Sequence, residues 1–172
     1  MLDDNTIKIY NIKGFKYELI QTLNNHTNTV WKILEFKNKV LNLCSFDESI
    51  IFYIRDNKEY KISNYKLKNH SSYICCLCIL NDGRLVSGSD DNSIIIYNNK
   101  TFKPDLITKE HNKGVTCVIQ LNSGELISCS IDKTIKLYNI KGVQYEVIQT
   151  LNYHNNYVYK VDELKNKALV SC

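Results

Sequence analysis

Apolar residues along this chain recur in short runs with a two-residue rhythm, interrupted by clusters of Asn, Asp, Ser, Gly and Lys. No stretch carries the 3.6-residue stripe of an amphipathic helix. After His70 the chain reads HSSYICCLCILNDGRLVSGSDDNSIIIYN, and after His111 it reads HNKGVTCVIQLNSGELISCSIDKTIKLYN. Each stretch resolves into the same strand signals: an apolar run, a turn, a second run ending in small residues, a turn built on Asp, and a β-branched run ending in Tyr. The first turn is Asn81-Asp82-Gly83 in one stretch and Asn122-Ser123-Gly124 in the next, where Gly supplies the positive φ that a tight hairpin needs. At Lys37-Asn38-Lys39 and Lys165-Asn166-Lys167 the Gly is missing, and Asn is expected to take the left-handed conformation in its place.

The similarity extends over the whole chain. Its four histidines, His26, His70, His111 and His154, are separated by 44, 41 and 43 residues, and each opens a copy of the pattern. Antiparallel four-stranded units at this spacing fit the blades of a β-propeller, which repeat every ~40–45 residues. A second period, of 128 residues, overlies the first: DNTIKIYNIKGFKYELIQTLNNH at 4–26 returns as DKTIKLYNIKGVQYEVIQTLNYH at 132–154, and the match continues to Cys44 against Cys172. A block of three units has been duplicated.

Composition adds exclusions. A chain of 172 residues, 44% hydrophobic and 23% charged, is ordinary for a globular domain. Its formal charge of +4 is too mild to imply a nucleic-acid partner. No apolar run approaches the ~18 residues that span a bilayer, and Met1-Leu2-Asp3-Asp4 is an acidic start without an apolar segment behind it. A soluble protein of the reducing cytoplasm is expected. The seven cysteines are odd in number and sit mainly in apolar runs, so they read as reduced, buried thiols. Cys75, Cys76 and Cys78 lack a second ligand pair, and no metal site is expected.

In the order of these residues the units resemble the WD-repeat (WD40) β-propeller family, over nearly the whole chain. The resemblance is carried by the opening His26, His70, His111 and His154, and by Ser87, Ser128 and Ser171 in the second strand. It is carried also by the turn residues Asp47, Asp91, Asp132 and Asp4, and by the Ser/Thr-Ile endings that close on Tyr53, Tyr97, Tyr138 and Tyr10. It implies an all-β propeller of four-stranded antiparallel blades, with four blades' worth of sequence. It also implies that the His, Ser, Asp and aromatic residue of each unit form a buried hydrogen-bonded set with a structural role. Two departures stand out. The family's Trp is Tyr throughout, which replaces an indole donor by a phenol of different reach. Leu43 stands where other units have Ser, which leaves His26 dependent on Asp47 and makes that blade the loosest.

The phase of the repeat divides residues 1–172 into units 26–69, 70–110 and 111–153 and a split blade made of 154–172 and 1–25. In the family such a split blade closes the ring and removes exposed strand edges. Closure by four blades would demand roughly 90° per blade, at the low end of the range for such folds. A segment of a longer propeller, two chains sharing an eight-bladed ring, and a rare four-bladed closure are the alternatives.

No catalytic constellation is expected. The histidines fall one per unit, so symmetry holds them apart, and Ser45, Ser89 and Ser130 recur before every Asp turn and are not unique nucleophiles. Phosphate-loop, dinucleotide and HExxH motifs are missing, and no cofactor is expected. The resemblance directs attention to the residues flanking the first-strand Val, which family members present around the channel mouth to partners: Thr29 and Trp31, Tyr73 and Cys75, Gly114 and Thr116, Tyr157 and Tyr159. Phe46, Asp90, Ile131 and Asp3, just before the turn Asp, join them. Trp, Phe and Tyr gathered on one face are the residue types of binding hot spots. A non-catalytic scaffold for proteins or peptides is the expected function. The alternatives are a Lys-rich nucleic-acid module and an architectural subunit that self-associates through open blade edges. With only two Arg, phosphopeptide and base-specific readout are disfavoured.

Overall fold

The computed structural model describes residues 4–36 and 40–172, and every regular element in them is a strand. Three four-stranded antiparallel sheets follow one another. The first contains β3 (Val30–Phe36), β4 (Val40–Ser45), β5 (Ile50–Asp56) and β6 (Glu59–Leu67). The second contains β7 (Ile74–Ile79), β8 (Leu85–Ser89), β9 (Ile94–Tyr97) and β10 (Pro104–Thr108). The third contains β11 (Val115–Gln120), β12 (Leu126–Ser130), β13 (Ile135–Lys141) and β14 (Gln144–Leu151). Two-stranded sheets flank them: β1 (Ile7–Lys13) with β2 (Lys16–Leu23), and β15 (Val161–Glu163) with β16 (Leu169–Ser171).

The middle strands of the four-stranded sheets are buried on both faces, which explains why they lack strict alternation. In β8, Leu85 packs towards the first blade with Phe52 and Cys44, while Val86 packs towards the third with Val115 and Val118. Similar clusters join β1–β2 to the first blade through Ile7, Leu23, Leu43 and Tyr53, and the third blade to Val158 and Val161. The chain is therefore a fan of blades whose cores lie between neighbours, as the layered packing of repeat proteins requires.

The split blade expected from 154–172 and 1–25 is not assembled within the chain. β1–β2 and β15–β16 are separate sheets, each packed on its own neighbouring blade, so the ring is open.

The hairpin turns also correct one expectation. Gly83 and Gly124 take positive φ (87° and 108°), but at 165–167 it is Lys167 that does so, at 66°. Asn166 instead accepts the Ala168 N–H on its side-chain oxygen at 3.1 Å. The place in the turn, not the residue's own preference, decides which residue carries the left-handed conformation. Lys37-Asn38-Lys39 and Asp3 lie outside the described residues.

Candidate functional site

Two sets of residues recur blade by blade: a buried network that fixes the turn between the second and third strands, and an exposed rim at the start of the first strand.

In the second blade, His70 Nδ1 lies 2.9 Å from Asp91 Oδ2 and its Nε2 lies 2.7 Å from Ser87 Oγ. Ser87 Oγ is 3.4 Å from the Tyr97 phenol oxygen. The third blade repeats this with His111, Asp132, Ser128 and Tyr138 at 2.9, 2.7 and 3.2 Å. The carboxylate Oδ1 also takes the hydroxyl of Ser93 at 2.5 Å in one blade and of Thr134 at 2.6 Å in the other. Sequence reasoning gave these hydroxyls no role, although a Ser or Thr stands 23 residues after the His in three units.

The charge state follows from the surroundings. Burial pushes the Asp132 carboxyl up, but donors from Thr134, the Asn112 backbone and His111 outweigh it and hold the group at about 2; Asp47 sits at about 2 for the same reasons. Burial lowers the His111 ring below 6.5 against the opposing pull of Asp132, so the ring is neutral at pH 7. A neutral ring donates its Nδ1–H to the carboxylate and accepts the serine O–H hydrogen bond at Nε2. Both acid and base are thus committed to each other inside the sheet. This constellation positions a turn and offers no free base to a substrate.

The first blade is incomplete. His26 Nδ1 reaches Asp47 at 2.9 Å, but Leu43 occupies the serine position and His26 Nε2 has no partner among the described residues. Tyr53 donates to the Asn25 side chain at 2.8 Å instead. At the chain ends the set is divided. His154 and Ser171 bond at 2.7 Å in the last half blade, while Asp4, beside Thr6 and Lys8, and Tyr10 stand in the first.

The rim is built by backbone bonds and bulges. Thr29 C=O accepts the Phe46 N–H at 3.0 Å, Tyr73 C=O the Asp90 N–H at 2.9 Å, and Gly114 C=O the Ile131 N–H at 3.0 Å. In each inner strand the register slips by one just afterwards, so Trp31, Cys75 and Thr116 are extra residues with no strand partner. A bulge of this kind re-aims a side chain. Here it turns Trp31, Cys75 and Thr116 into one groove of about 540 Å³, which Tyr159, Lys32 and Lys160 also line. Lys32 follows the Trp31 bulge and Lys160 immediately precedes β15, and neither was foreseen from the sequence.

Three of the rim aromatics form a continuous stack across two blades. Phe46 lies between Trp31 (5.1 Å, 21°) and Tyr73 (4.7 Å, 22°). Trp31 remains 59% exposed and Tyr73 45%. Tyr157 packs its ring on Tyr159, edge to face at 6.2 Å, and is not among the residues that line the groove. Thr116 gives its hydroxyl to the Val158 carbonyl at 2.5 Å, tying the third blade to the last half blade. Asp90 is packed over Gly114, where an added methyl group would fall 2.3 Å from its Oδ1. Ile131 is half-buried.

The family model described as "WD domain, G-beta repeat" matches residues 62–98 and 102–139. Those two segments are similar to WD40 repeats. The fold of the chain is that of a partial WD40 β-propeller. The chain superposes on the crystal structure of the WD40 β-propeller domain of Doa1 with a TM-score of 0.76 at 21% identity, covering 90% of this chain and 51% of that one. The structure of U3-55K superposes with a TM-score of 0.73 at 21% identity, covering 86% of this chain and 46% of that one. The chain therefore spans about half the length of these solved structures. No curated protein matches it. WD40 propellers are in general non-catalytic scaffolds that bind proteins or peptides.

Proposed function

We propose that this WD40 chain is a non-catalytic scaffold whose channel-mouth face holds an extended protein segment. The single observation that carries this reading is the stack of Trp31, Phe46 and Tyr73, whose outer rings are exposed and whose Trp31 lines the groove. Rings already packed against one another lose little conformational entropy on binding, and they offer flat apolar area with polar edges. Lys32 and Lys160 in the groove favour an acidic side chain next to the apolar anchor of the bound segment. Thr29, Tyr73, Asp90, Thr116, Ile131, Tyr157 and Tyr159 form the surrounding surface, with Thr116 and Asp90 acting mainly through blade-to-blade contacts. The free state of all seven cysteines fits a reducing compartment, and we place the protein in the cytoplasm.

The test is affinity capture from lysate with the wild-type chain, Trp31→Ala/Tyr159→Ala, and the control Phe15→Ala, whose side chain is exposed on the far β1–β2 turn. Loss of specific proteins only in the double variant, with an unchanged circular dichroism spectrum, supports the reading. Recovery of the same proteins by all three sinks it.

A further inference from the structure

Two ammonium groups, those of Lys32 and Lys160, stand in the groove of the inner strands, and we propose that they hold a diphosphate group, free or carried on a nucleotide. The 128-residue repeat sets both lysines at one position of the unit: Val30-Trp31-Lys32 returns as Val158-Tyr159-Lys160. The two units between them have Ile74-Cys75-Cys76 and Val115-Thr116-Cys117 there, which bring no charged side chain. Among the described residues no Asp or Glu lines this groove of about 540 Å³.

The surroundings leave the positive charge unanswered. Elsewhere Lys8, Lys61 and Arg84 meet carboxylates at 2.5, 2.6 and 2.8 Å, whereas Lys32 enters no ion pair among the described residues. Lys160 has Asp162 Oδ2 at 3.8 Å, but the two side chains are 66% and 62% exposed, so water screens the pair. Burial pushes the Cys117 thiol up, and Lys160 and Lys32 both pull against that shift, so charges from two different units act on one sulfur. The wall beneath them is apolar, with Leu77 and Val118 only 3% and 2% exposed. A cleft of one sign with walls of low dielectric focuses the field and draws counter-ions into it.

The two cations select the ligand. Lysine presents a point charge with three rotatable donors and lacks the planar fork of arginine, so its hold follows the charge of the ligand more than its shape. Two such charges from separate units favour an anion with charge on two linked centres over a single carboxylate. A diphosphate has that form. Trp31 and Tyr159, each one residue before a lysine, line the same groove and offer flat faces to a base carried on the phosphates. Such a site goes beyond the scaffold role and requires no protein partner.

The experiment is calorimetric titration of the full chain with inorganic pyrophosphate at fixed ionic strength, for wild type, Lys32→Gln, Lys160→Gln and the control Lys66→Gln on the outer strand β6. Trp31 is the only tryptophan of the chain, and its fluorescence reports occupancy of the groove in the same titrations. All three lysines are exposed, so each variant is expected to fold, with circular dichroism as the check. Saturable binding is expected, with inorganic phosphate weaker than pyrophosphate. Lys32→Gln and Lys160→Gln are each expected to lose about tenfold or more in affinity, and Lys66→Gln to keep it. Adenosine diphosphate titrated in parallel separates the two sources. Binding tighter than pyrophosphate, reduced to the pyrophosphate level by Trp31→Ala, assigns the nucleotide; binding no tighter assigns the free diphosphate. No saturable heat with either ligand, binding that leaves Trp31 fluorescence unchanged, or the same affinity in all the lysine variants overturns the proposal. Pyrophosphate is titrated into the chain alone, so a failure here leaves the capture of protein segments untouched.

Discussion

Tyr53 gives its phenol proton to the side chain of Asn25 at 2.8 Å, while Tyr97 and Tyr138 lie beside a serine of their own blade. The difference traces to Leu43, which fills the serine position of the first blade and packs with Ile7, Leu23 and Ile51. Leu43→Ser would give His26 Nε2 a partner and remove one buried unsatisfied atom, a gain of about 1–3 kcal/mol. It would also empty a fully buried leucine site, at a cost of about 3–5 kcal/mol. The cavity wins. The substitution is expected to destabilise the chain by about 1–3 kcal/mol in denaturant melts, and an unchanged or raised midpoint contradicts that ordering.

One residue over, Asn42 is fully buried with neither side-chain polar atom partnered among the described residues. The equivalent residues of the next two blades are Val86 and Ile127, both buried in apolar clusters. Asn42→Val removes the desolvation penalty without adding bulk, and is expected to stabilise by about 1–3 kcal/mol. Thermal unfolding of the variant beside wild type decides this.

The residue after each turn Asp holds positive φ: Glu48 at 67°, Asn92 at 69° and Lys133 at 73°. Asn bears that conformation better than Lys or Glu because its short side chain can bond locally. Lys133→Asn is therefore expected to raise stability by about 0.5–1 kcal/mol. The same change at a residue with negative φ, such as Lys136, should give no gain.

Acid acts on the networks in two stages. His111 is neutral when folded because burial lowers its ring below 6.5, whereas the unfolded chain protonates it near 6.5, so stability falls as pH drops below that value. Asp47 and Asp132 are held at about 2 in the fold against 3.8 ordinarily. Their contribution is complete above 3.8 and is lost as pH falls through about 2. Melting temperature followed from about pH 7.5 to 5 is expected to decline in wild type and to decline less in His111→Gln, which melts lower throughout. A parallel decline in both chains would show that the ring does not contribute.

The strands and their period were legible because each blade repeats one hydrophobic code, and the 41-residue offset between His70 and His111 matches two sheets strand for strand. The candidate rim positions could be named from the family resemblance that these repeats carry. Their arrangement could not: the bulges at Trp31, Cys75 and Thr116 are backbone events without a residue signature, and the Trp31, Phe46 and Tyr73 stack depends on the spacing between two sheets. Lys167 shows the limit of reading turns by residue type, since the αL position fell on a Lys although Asn166 stands beside it. The separate end sheets were equally hidden, because local pairing preferences do not specify whether strands far apart in the chain join one sheet.

The near identity of β1–β2 and β13–β14 has a consequence for how this chain reaches its native state. Strand β12 meets two hairpins of almost the same sequence, and the one nearer the N-terminus is synthesised first. Only connectivity tells them apart: the short Asp132 turn holds β13 beside β12, so loop-closure entropy, rather than side-chain recognition, keeps the earlier copy from docking in the wrong place.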